Sequence, residues 1–289
     1  MLTVTAPAIR RMEAADADAC GRVAFEAHQH VAARHHTPPE HPTVEFSIGM
    51  FTTKLRDPRC TGWVSERDGR VVGSVFLNAF APAVAAIGPL TVLPAYEGGV
   101  GRALMERALQ HASASGVDSV RLVQSPSHLR SLALYASLGF EVREPLVMTT
   151  GTLPEHGLAG TVIRTAAVVD IPHCDALAER TTGVCRESEL QQAIARGTAR
   201  VIEQAGVLRG YSTGVGITGH AVADTTEALI ALLCGTPRLP GGGFFLPTRN
   251  GVLLQWALAS GLRLAWPALL MTKGTYAPPT GAYVPSIAF

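Results

Sequence analysis

Apolar and polar residues show two periodicities along the first half of the chain, one typical of strands and one typical of helices. Two alternating runs flank the hairpin signal "RDG", and strand and helix patterns then take turns. The pattern predicts strands at Pro7–Met12, Gly62–Glu66, Arg70–Asn78, Ile87–Leu93, Ser119–Gln124 and Phe140–Met148, and helices at Ala15–Ala33, Val44–Leu55, Gly99–Ala114 and Leu129–Leu138. Asp16 and Asp18 are the candidate caps of the first helix. This order predicts a mixed α/β fold, with a mostly antiparallel sheet and flanking helices.

A second pattern is an internal repeat whose offset shrinks along the chain. "IRRMEAADADACGRVA" from Ile9 matches "IRTAAVVDIPHCDALA" from Ile163 at an offset of 154 residues. Later matches pair Gly73 with Gly210 at an offset of 137 residues and Pro145 with Pro267 at an offset of 122 residues. Loop deletions in a second copy would produce such a series. The sequence therefore predicts two tandem domains, at residues 1–150 and 162–289, joined by a Gly-, Pro- and Thr-rich linker at 151–161.

Charge and composition narrow the classes of function. The 24 basic and 23 acidic side chains give a net charge of +1, which argues against nucleic acid as the main partner. No window approaches about 18 uninterrupted apolar residues, so we expect no membrane span. The N-terminus reaches Arg10 and Arg11 before any long apolar run, unlike a signal peptide. The five cysteines are scattered without a CxxC motif, which favours a reduced, cytoplasmic location and no zinc site.

Candidate chemistry centres on "LTVLPAYEGGVGRALMERALQHA", a strand that runs through a glycine loop into a helix. Unpaired amides at a helix N-terminus attract phosphate, and glycines before it let those amides form a nest. The amides of Gly98 to Ala103 are thus a candidate pyrophosphate cradle. A P-loop would need Lys-Ser/Thr where Arg102-Ala103 stand, and a dinucleotide fingerprint would need a third glycine and a downstream carboxylate. A plain strand-to-helix turn is the simpler alternative.

The same stretch resembles the acyl-CoA loop of the GNAT N-acetyltransferase superfamily, and "SLALYASLGFEVREP" resembles the closing helix of that superfamily. The resemblance covers roughly Ile9 to Gly151, with two departures: Tyr96 stands at the usual Gln/Arg position and His128 replaces an asparagine that often opens the last helix. It implies two tandem GNAT-like domains and an N-acetyltransferase that uses acetyl-CoA as cosubstrate and no metal. The residues it implies for binding acetyl-CoA are Leu90, Thr91, Val92, Glu97, Gly98, Gly99, Val100, Gly101, Arg102, Ala103, His128 and Ser131.

The resemblance further implies direct attack of an amine on the thioester, with Tyr135 as the acid that protonates the departing thiolate. Packing in the core is the alternative role for Tyr135. The base stays open among Glu45, Glu66, His36 and a water chain, because no carboxylate occurs between Arg70 and Tyr96. Three histidines with Glu40 and Glu45 could suggest metal ligands, but their proline-rich context favours a loop; these histidines are His35, His36 and His41.

The second copy has lost the glycine nest. At the matching place "TGHAVADTTEALIALL" opens a helix directly from Asp224 or Thr225, and Ala257 falls at the position of Tyr135. We therefore expect one acetyl-CoA site, in the first copy. The partner that the resemblance implies is an amine, either a small molecule or a protein amino group, and the oligomeric state stays open. The alternative function is a non-catalytic acyl-CoA-binding or regulatory protein.

Overall fold

The computed structural model describes residues 7–37, 39–239 and 243–288. Two compact units share the chain: the first comprises the residues up to Val120 with Ser127–Gly139, and the second comprises Arg121–Pro126 with the residues from Phe140 onward. Grouping by contacts thus assigns residues 140–150 to the second unit, whereas the repeat places them in the first copy. The domain boundaries drawn from the repeat stay a prediction.

In its described residues, the first unit is an antiparallel sheet with four α-helices. Its strands pair in the order β1–β2–β3–β4. Their bounds are β1 Ala8–Arg11, β2 Cys60–Arg67, β3 Arg70–Ala81 and β4 Val84–Val92, with α1 Ala17–His35, α2 Val44–Arg56, α3 Val100–Ala114 and α4 Leu129–Ser137. Each matches a predicted element to within a few residues. Asp16 occupies the N-cap position of α1, as predicted, but its side chain accepts from the Glu13 amide at 2.7 Å and caps no amide of α1. Asp18 lies in the first turn and pairs with Arg22.

The helix α3 packs its apolar face on the sheet because Leu104, Ala108 and Ala112 recur every four residues and are buried. Gly73 on β3 makes this close approach possible. A Cβ there would lie 2.9 Å from Thr91 O, 3.1 Å from Val100 Cγ1 and 3.2 Å from Leu104 Cδ1.

Replacing Gly73 by alanine is therefore expected to lower the free energy of unfolding by about 1–3 kcal/mol, because overpacked cores must shift. Gly49 is the matched control: it lies inside α2 with nothing within 4 Å of a Cβ. Gly49→Ala should raise the free energy of unfolding by about 0.5–1 kcal/mol, the usual helix preference. Urea unfolding of both full-length variants measures the difference, and equal effects at the two sites would contradict the packing argument.

The second unit contains two sheets. One has the strand order β5–β12–β6–β11 and the other the order β13–β10–β9–β8–β7. The strands are β5 Ser119–Gln124 (its first two residues in the first unit), β6 Glu141–Thr150, β7 Thr161–Thr165, β8 Arg200–Gln204, β9 Val207–Ser212, β10 Ala221–Ala223, β11 Phe244–Pro247, β12 Arg263–Gly274 and β13 Ala282–Val284. The helices are α5 Ile171–Thr182, α6 Glu187–Ala195, α7 Thr226–Cys234 and α8 Gly251–Ala259.

Matching contacts in the two units support the repeat. In the first, Arg10 donates to both oxygens of Asp16 at 2.7 Å and to Glu66 Oε1 at 2.6 Å. The second unit contains the same bonds, at 2.7, 2.7 and 2.5 Å, among the residues Arg164, Asp170 and Glu203. These residues are the repeat images of the first three, so the weak sequence matches correspond to one local structure built twice.

The ladder between β6 and β12 also follows the repeat. Leu146 pairs with Ala268, which is its own image at the offset of 122. On either side of this pair, Pro145 faces Leu269 and Val147 faces Pro267. At the same offset Pro145 corresponds to Pro267 and Val147 corresponds to Leu269, so the repeat converts each of these two pairs into the other. The register is therefore symmetric about Leu146 and Ala268.

Candidate acyl-CoA site

The glycine loop leads from β4 into α3 and owes its glycines to backbone conformation. Gly98 has a φ of +124° and Gly99 a φ of +117°, values that residues with a Cβ rarely adopt. A Cβ at either position would meet nothing within 4 Å, so crowding by the protein is not the reason. The loop is thus shaped to turn the chain sharply into the helix while leaving open space beside it.

The amides at the start of α3 point out of the helix with no partner in the preceding turn. Ala103 is the first whose amide bonds back, to Gly99 O at 3.0 Å. Among the described residues, no side chain caps this helix. Because the first N–H groups of a helix lack intrahelical acceptors and carry its positive dipole end, the amides of Val100, Gly101 and Arg102 suit an anion.

Two polar contacts fasten the loop to α4. Arg130 forms an ion pair with Glu97, and Arg102 Nη2 donates to Ser137 Oγ at 2.5 Å. The side chains of Glu97 and Arg102, both predicted at the acyl-CoA site, therefore hold the loop in place and leave its amides to face a ligand. Arg102 also lies 3.6 Å from Glu106, one turn along α3.

The end of β4 forms an apolar floor beside the loop. Leu90, Val92 and Leu134 each place a carbon 3.7–3.8 Å from the position that a Cβ on Gly101 would take. Thr91 points the other way, as alternation along a strand requires, and its Oγ1 lies 2.8 Å from Ser74 Oγ in the buried layer. Of the three predicted β4 residues, Leu90 and Val92 thus line this floor with their side chains and Thr91 does not.

Three polar side chains follow one face of α4. His128 precedes the helix and its Nδ1 lies 2.5 Å from Ser131 Oγ. Ser131 in turn hydrogen-bonds the half-buried Tyr135, which lowers the pKa of the phenol, but desolvation is the larger effect and raises that pKa to about 12. Burial lowers the pKa of His128. The predicted residues His128, Ser131 and Tyr135 therefore form one connected row.

The end of α1 and the segment after it bring more polar groups to this row. The His35 ring meets the His128 ring edge-on, with centroids 5.5 Å apart. His28 and His41 stack with centroids 3.9 Å apart, and Glu40 Oε2 lies 3.7 Å from His28 Nδ1. In the described part of the chain no three His, Cys, Asp or Glu side chains converge as metal ligands would.

From the sequence, Glu40 was considered only as a metal ligand, and the structure places it beside His28 of α1. The three candidate bases differ in their surroundings. Glu66 is tied to Arg10 and lines an open cleft of about 580 Å³ with Arg10 and Arg22. The other two side chains are exposed, on α2 and at the C-terminus of α1: Glu45 and His36.

Comparison with known proteins gives a match for part of the chain. Residues 25–140, which contain β4, the glycine loop and α4, match the model of the Acetyltransferase (GNAT) family. This segment of the chain is therefore similar to that family. No curated protein matches the chain by sequence.

Solved structures extend the likeness to the whole chain at the level of the fold. A putative acetyltransferase from Pyrococcus horikoshii is 18% identical with a TM-score of 0.72, over 97% of this chain and 93% of its own. A GCN5-related N-acetyltransferase from Sphaerobacter thermophilus is 16% identical with a TM-score of 0.64, over 95% and 98%. A tandem GNAT protein from the clavulanic acid biosynthesis pathway is 17% identical with a TM-score of 0.55, over 93% and 98%. The predicted mixed α/β GNAT fold is confirmed.

Within the described residues, no helix is both long enough and apolar enough to cross a membrane.

Proposed function

We propose that this protein transfers an acetyl group from acetyl-CoA to an amine, at a site built by its first copy. The observation that carries the proposal is the glycine loop: amides without acceptors at the start of α3, beside an apolar floor and within one unit with Tyr135. The family supports acetyl transfer in general, since its members are described as acetyltransferases. The cytoplasmic location stays a prediction.

The loop and the floor suit different parts of acetyl-CoA. The amides from Gly98 to Ala103 would bind the pyrophosphate, because they present N–H groups at the positive end of a helix. The pantetheine arm would lie along the floor of Leu90 and Val92, where backbone amides of β4 would polarise the thioester carbonyl. His128 and Ser131 bond to each other and to Tyr135, so their contribution to binding acetyl-CoA would be to shape this end of the groove.

Tyr135 would act as the acid. With its pKa raised to about 12, the phenol keeps its proton at neutral pH, and the departing thiolate needs one. In the reaction the amine nitrogen attacks the thioester carbon, the C–N bond forms, the C–S bond breaks, and the phenol proton passes to sulfur. The proton that leaves the nitrogen then restores the phenol. Incubating the full-length chain with acetyl-CoA and pooled amines, and measuring CoA release, tests the proposal.

The alternative is a protein that binds acyl-CoA without transferring the acetyl group. The setting of Glu66 favours it, because this candidate base is already paired with Arg10. Tight CoA binding with no release of CoA in a broad amine screen would make this the better account.

One acyl-CoA site per chain is expected, because the second copy lacks the glycine nest of the first. Thr225 caps α7 with its own hydroxyl, which accepts from the Ala228 amide at 3.2 Å, and no glycine nest precedes the helix. Ala257 stands at the place of Tyr135 and is buried.

Calorimetric titration of the full-length chain with CoA should therefore give a stoichiometry near one. Two equivalent sites would contradict the assignment of the second copy as a domain without acyl-CoA.

A further inference from the structure

An open cleft of about 580 Å³ lies in the first unit, and none of the residues proposed to bind acetyl-CoA lines it. One of its walls is a face of α1, and the other is the hairpin that joins β2 to β3. Leu93, which follows β4, completes the lining. Pockets that bind small molecules usually measure about 300–1,000 Å³, so this cleft is large enough for one.

Both walls of the cleft have a defined backbone. Ala19, Val23 and Glu26 follow one another at helical spacing and line the cleft from α1. In the hairpin, Asp68 has a φ of +50° and Gly69 a φ of +71°, the signs required by a tight two-residue turn between antiparallel strands. The backbone therefore fixes where each wall presents its side chains.

Most charged side chains of the cleft already have a partner of opposite charge. Arg10 Nη1 lies 2.7 Å from Asp16 Oδ2, and Arg10 Nη2 lies 2.6 Å from Glu66 Oε1. Arg22 on α1 pairs with Asp18 at 2.8 Å. Each of these groups thus has a counter-charge within hydrogen-bond distance.

Two charged side chains of the lining differ from these. Among the described residues, neither Glu26 on the α1 wall nor Arg70 on the hairpin wall has an ion-pair or hydrogen-bond partner for its side chain. Both are exposed, and the lining also includes the apolar side chains of Val23, Val71 and Leu93. The cleft therefore offers one carboxylate, one guanidinium and an apolar surface to a molecule from solvent.

The second unit contains the same backbone arrangement with different side chains. Its hairpin turn at 205–206 also has two positive φ angles, +50° and +76°. The Asp224 amide donates to Arg209 O at 2.8 Å, as the Leu93 amide donates to Val72 O at 2.9 Å. Arg209 is the repeat image of Val72 at the offset of 137, so Asp224 stands at the place of Leu93.

In the second unit an ion pair occupies this place. Arg180, the repeat image of Glu26 at the offset of 154, lies 3.9 Å from Asp224. Val207 stands at the place of Arg70 at the offset of 137, so that hairpin lacks the guanidinium. The second copy therefore joins its helix to its strand end through its own charges, whereas the first copy leaves two opposite charges for a ligand.

We propose that this cleft binds an aliphatic α-amino acid in its zwitterionic form. The ammonium group pairs with Glu26, and the carboxylate pairs with Arg70. The aliphatic side chain lies on Val23, Val71 and Leu93, where apolar surface of both molecules is removed from water. A phosphate or a polyamine carries charge of one sign only, so it would meet one wall of like charge. The proposal does not depend on acetyl transfer.

Calorimetric titration of the full-length chain in the absence of acetyl-CoA, with L-leucine and two analogues, tests the proposal. Isoamylamine has the same branched chain and the ammonium group but no carboxylate, and isocaproate has the carboxylate but no ammonium group. L-Leucine should bind at one site per chain. Each analogue should bind at least about tenfold more weakly, the usual effect of losing a charge-assisted contact.

Variants then locate the site. Glu26→Gln and Arg70→Gln should each lower the affinity for L-leucine at least about tenfold. Glu155→Gln, at an exposed glutamate outside the cleft, is the matched control and should bind L-leucine as the wild type does. The double variant Glu26→Arg, Leu93→Asp copies the ion pair of the second unit and should abolish binding. Urea unfolding of each variant shows whether it is folded.

Three outcomes would overturn the proposal. Absence of L-leucine binding to the wild type would exclude an aliphatic amino-acid site. An analogue that binds as tightly as L-leucine would show that one of the two charges is not recognised. Equal affinity in the wild type and in folded Glu26→Gln and Arg70→Gln would place the amino acid outside the cleft. Each of these results leaves acetyl transfer standing, because that activity is measured separately by CoA release.

Discussion

Replacing Tyr135 by phenylalanine is expected to lower kcat by about 10²- to 10⁴-fold while CoA binds as before. The hydroxyl is needed only when the thiolate leaves, so its loss removes stabilisation of the transition state and spares the ground state. Steady-state kinetics with an accepted amine measure kcat, and calorimetry measures the dissociation constant of CoA.

A tyrosine that only packs gives the opposite result, because phenylalanine fills nearly the same volume. Such a variant would keep its turnover and change only the free energy of unfolding. A Phe variant that retains more than about a third of wild-type kcat, with chemistry shown to limit the rate, would remove Tyr135 from the mechanism.

Replacing Gly101 by aspartate is expected to weaken CoA binding at least about tenfold, which corresponds to about 1.4 kcal/mol. The second position of a helix favours a carboxylate, since it faces the positive end of the dipole. The free chain should therefore fold well, with room for the Cβ at 3.7 Å from its neighbours. The new charge would repel the pyrophosphate and compete with it for the same amides.

Gly101→Asn is the matched control, because asparagine has the same shape without the charge. Calorimetry on both variants should show a much larger loss of CoA affinity for aspartate than for asparagine. Unchanged affinity in a folded Gly101→Asp variant would make the loop a structural turn and remove the acyl-CoA assignment.

Much of the first unit could be predicted because local pattern determined it. The predicted strand Ser119–Gln124 has the observed bounds, and the α3 and α4 predictions differ by a residue. The glycine loop could be predicted equally well, since backbone positions that need a positive φ are usually occupied by glycine. Elements with regular periodicity and loops with special backbone angles can be predicted because they depend on residues that are close together in the chain.

The contacts that could not be predicted are those between residues far apart in the chain. Nothing local indicates that Glu97 meets Arg130, or that His35 meets His128 about ninety residues later. The assignment of β6 to a sheet with β12 likewise depends on packing of distant segments.

The symmetric ladder of β6 and β12 has a consequence for how the two copies could diverge. In a dimer of identical chains, a residue on the two-fold axis faces its own copy. Any substitution there therefore changes both facing side chains in the same way. Here the corresponding position is Leu146 opposite Ala268, a large side chain against a small one. Joining two such copies in one chain allows the two facing positions to carry side chains of different size. Exchanging the two residues, by Leu146→Ala together with Ala268→Leu, tests whether the pair is tolerated in either orientation.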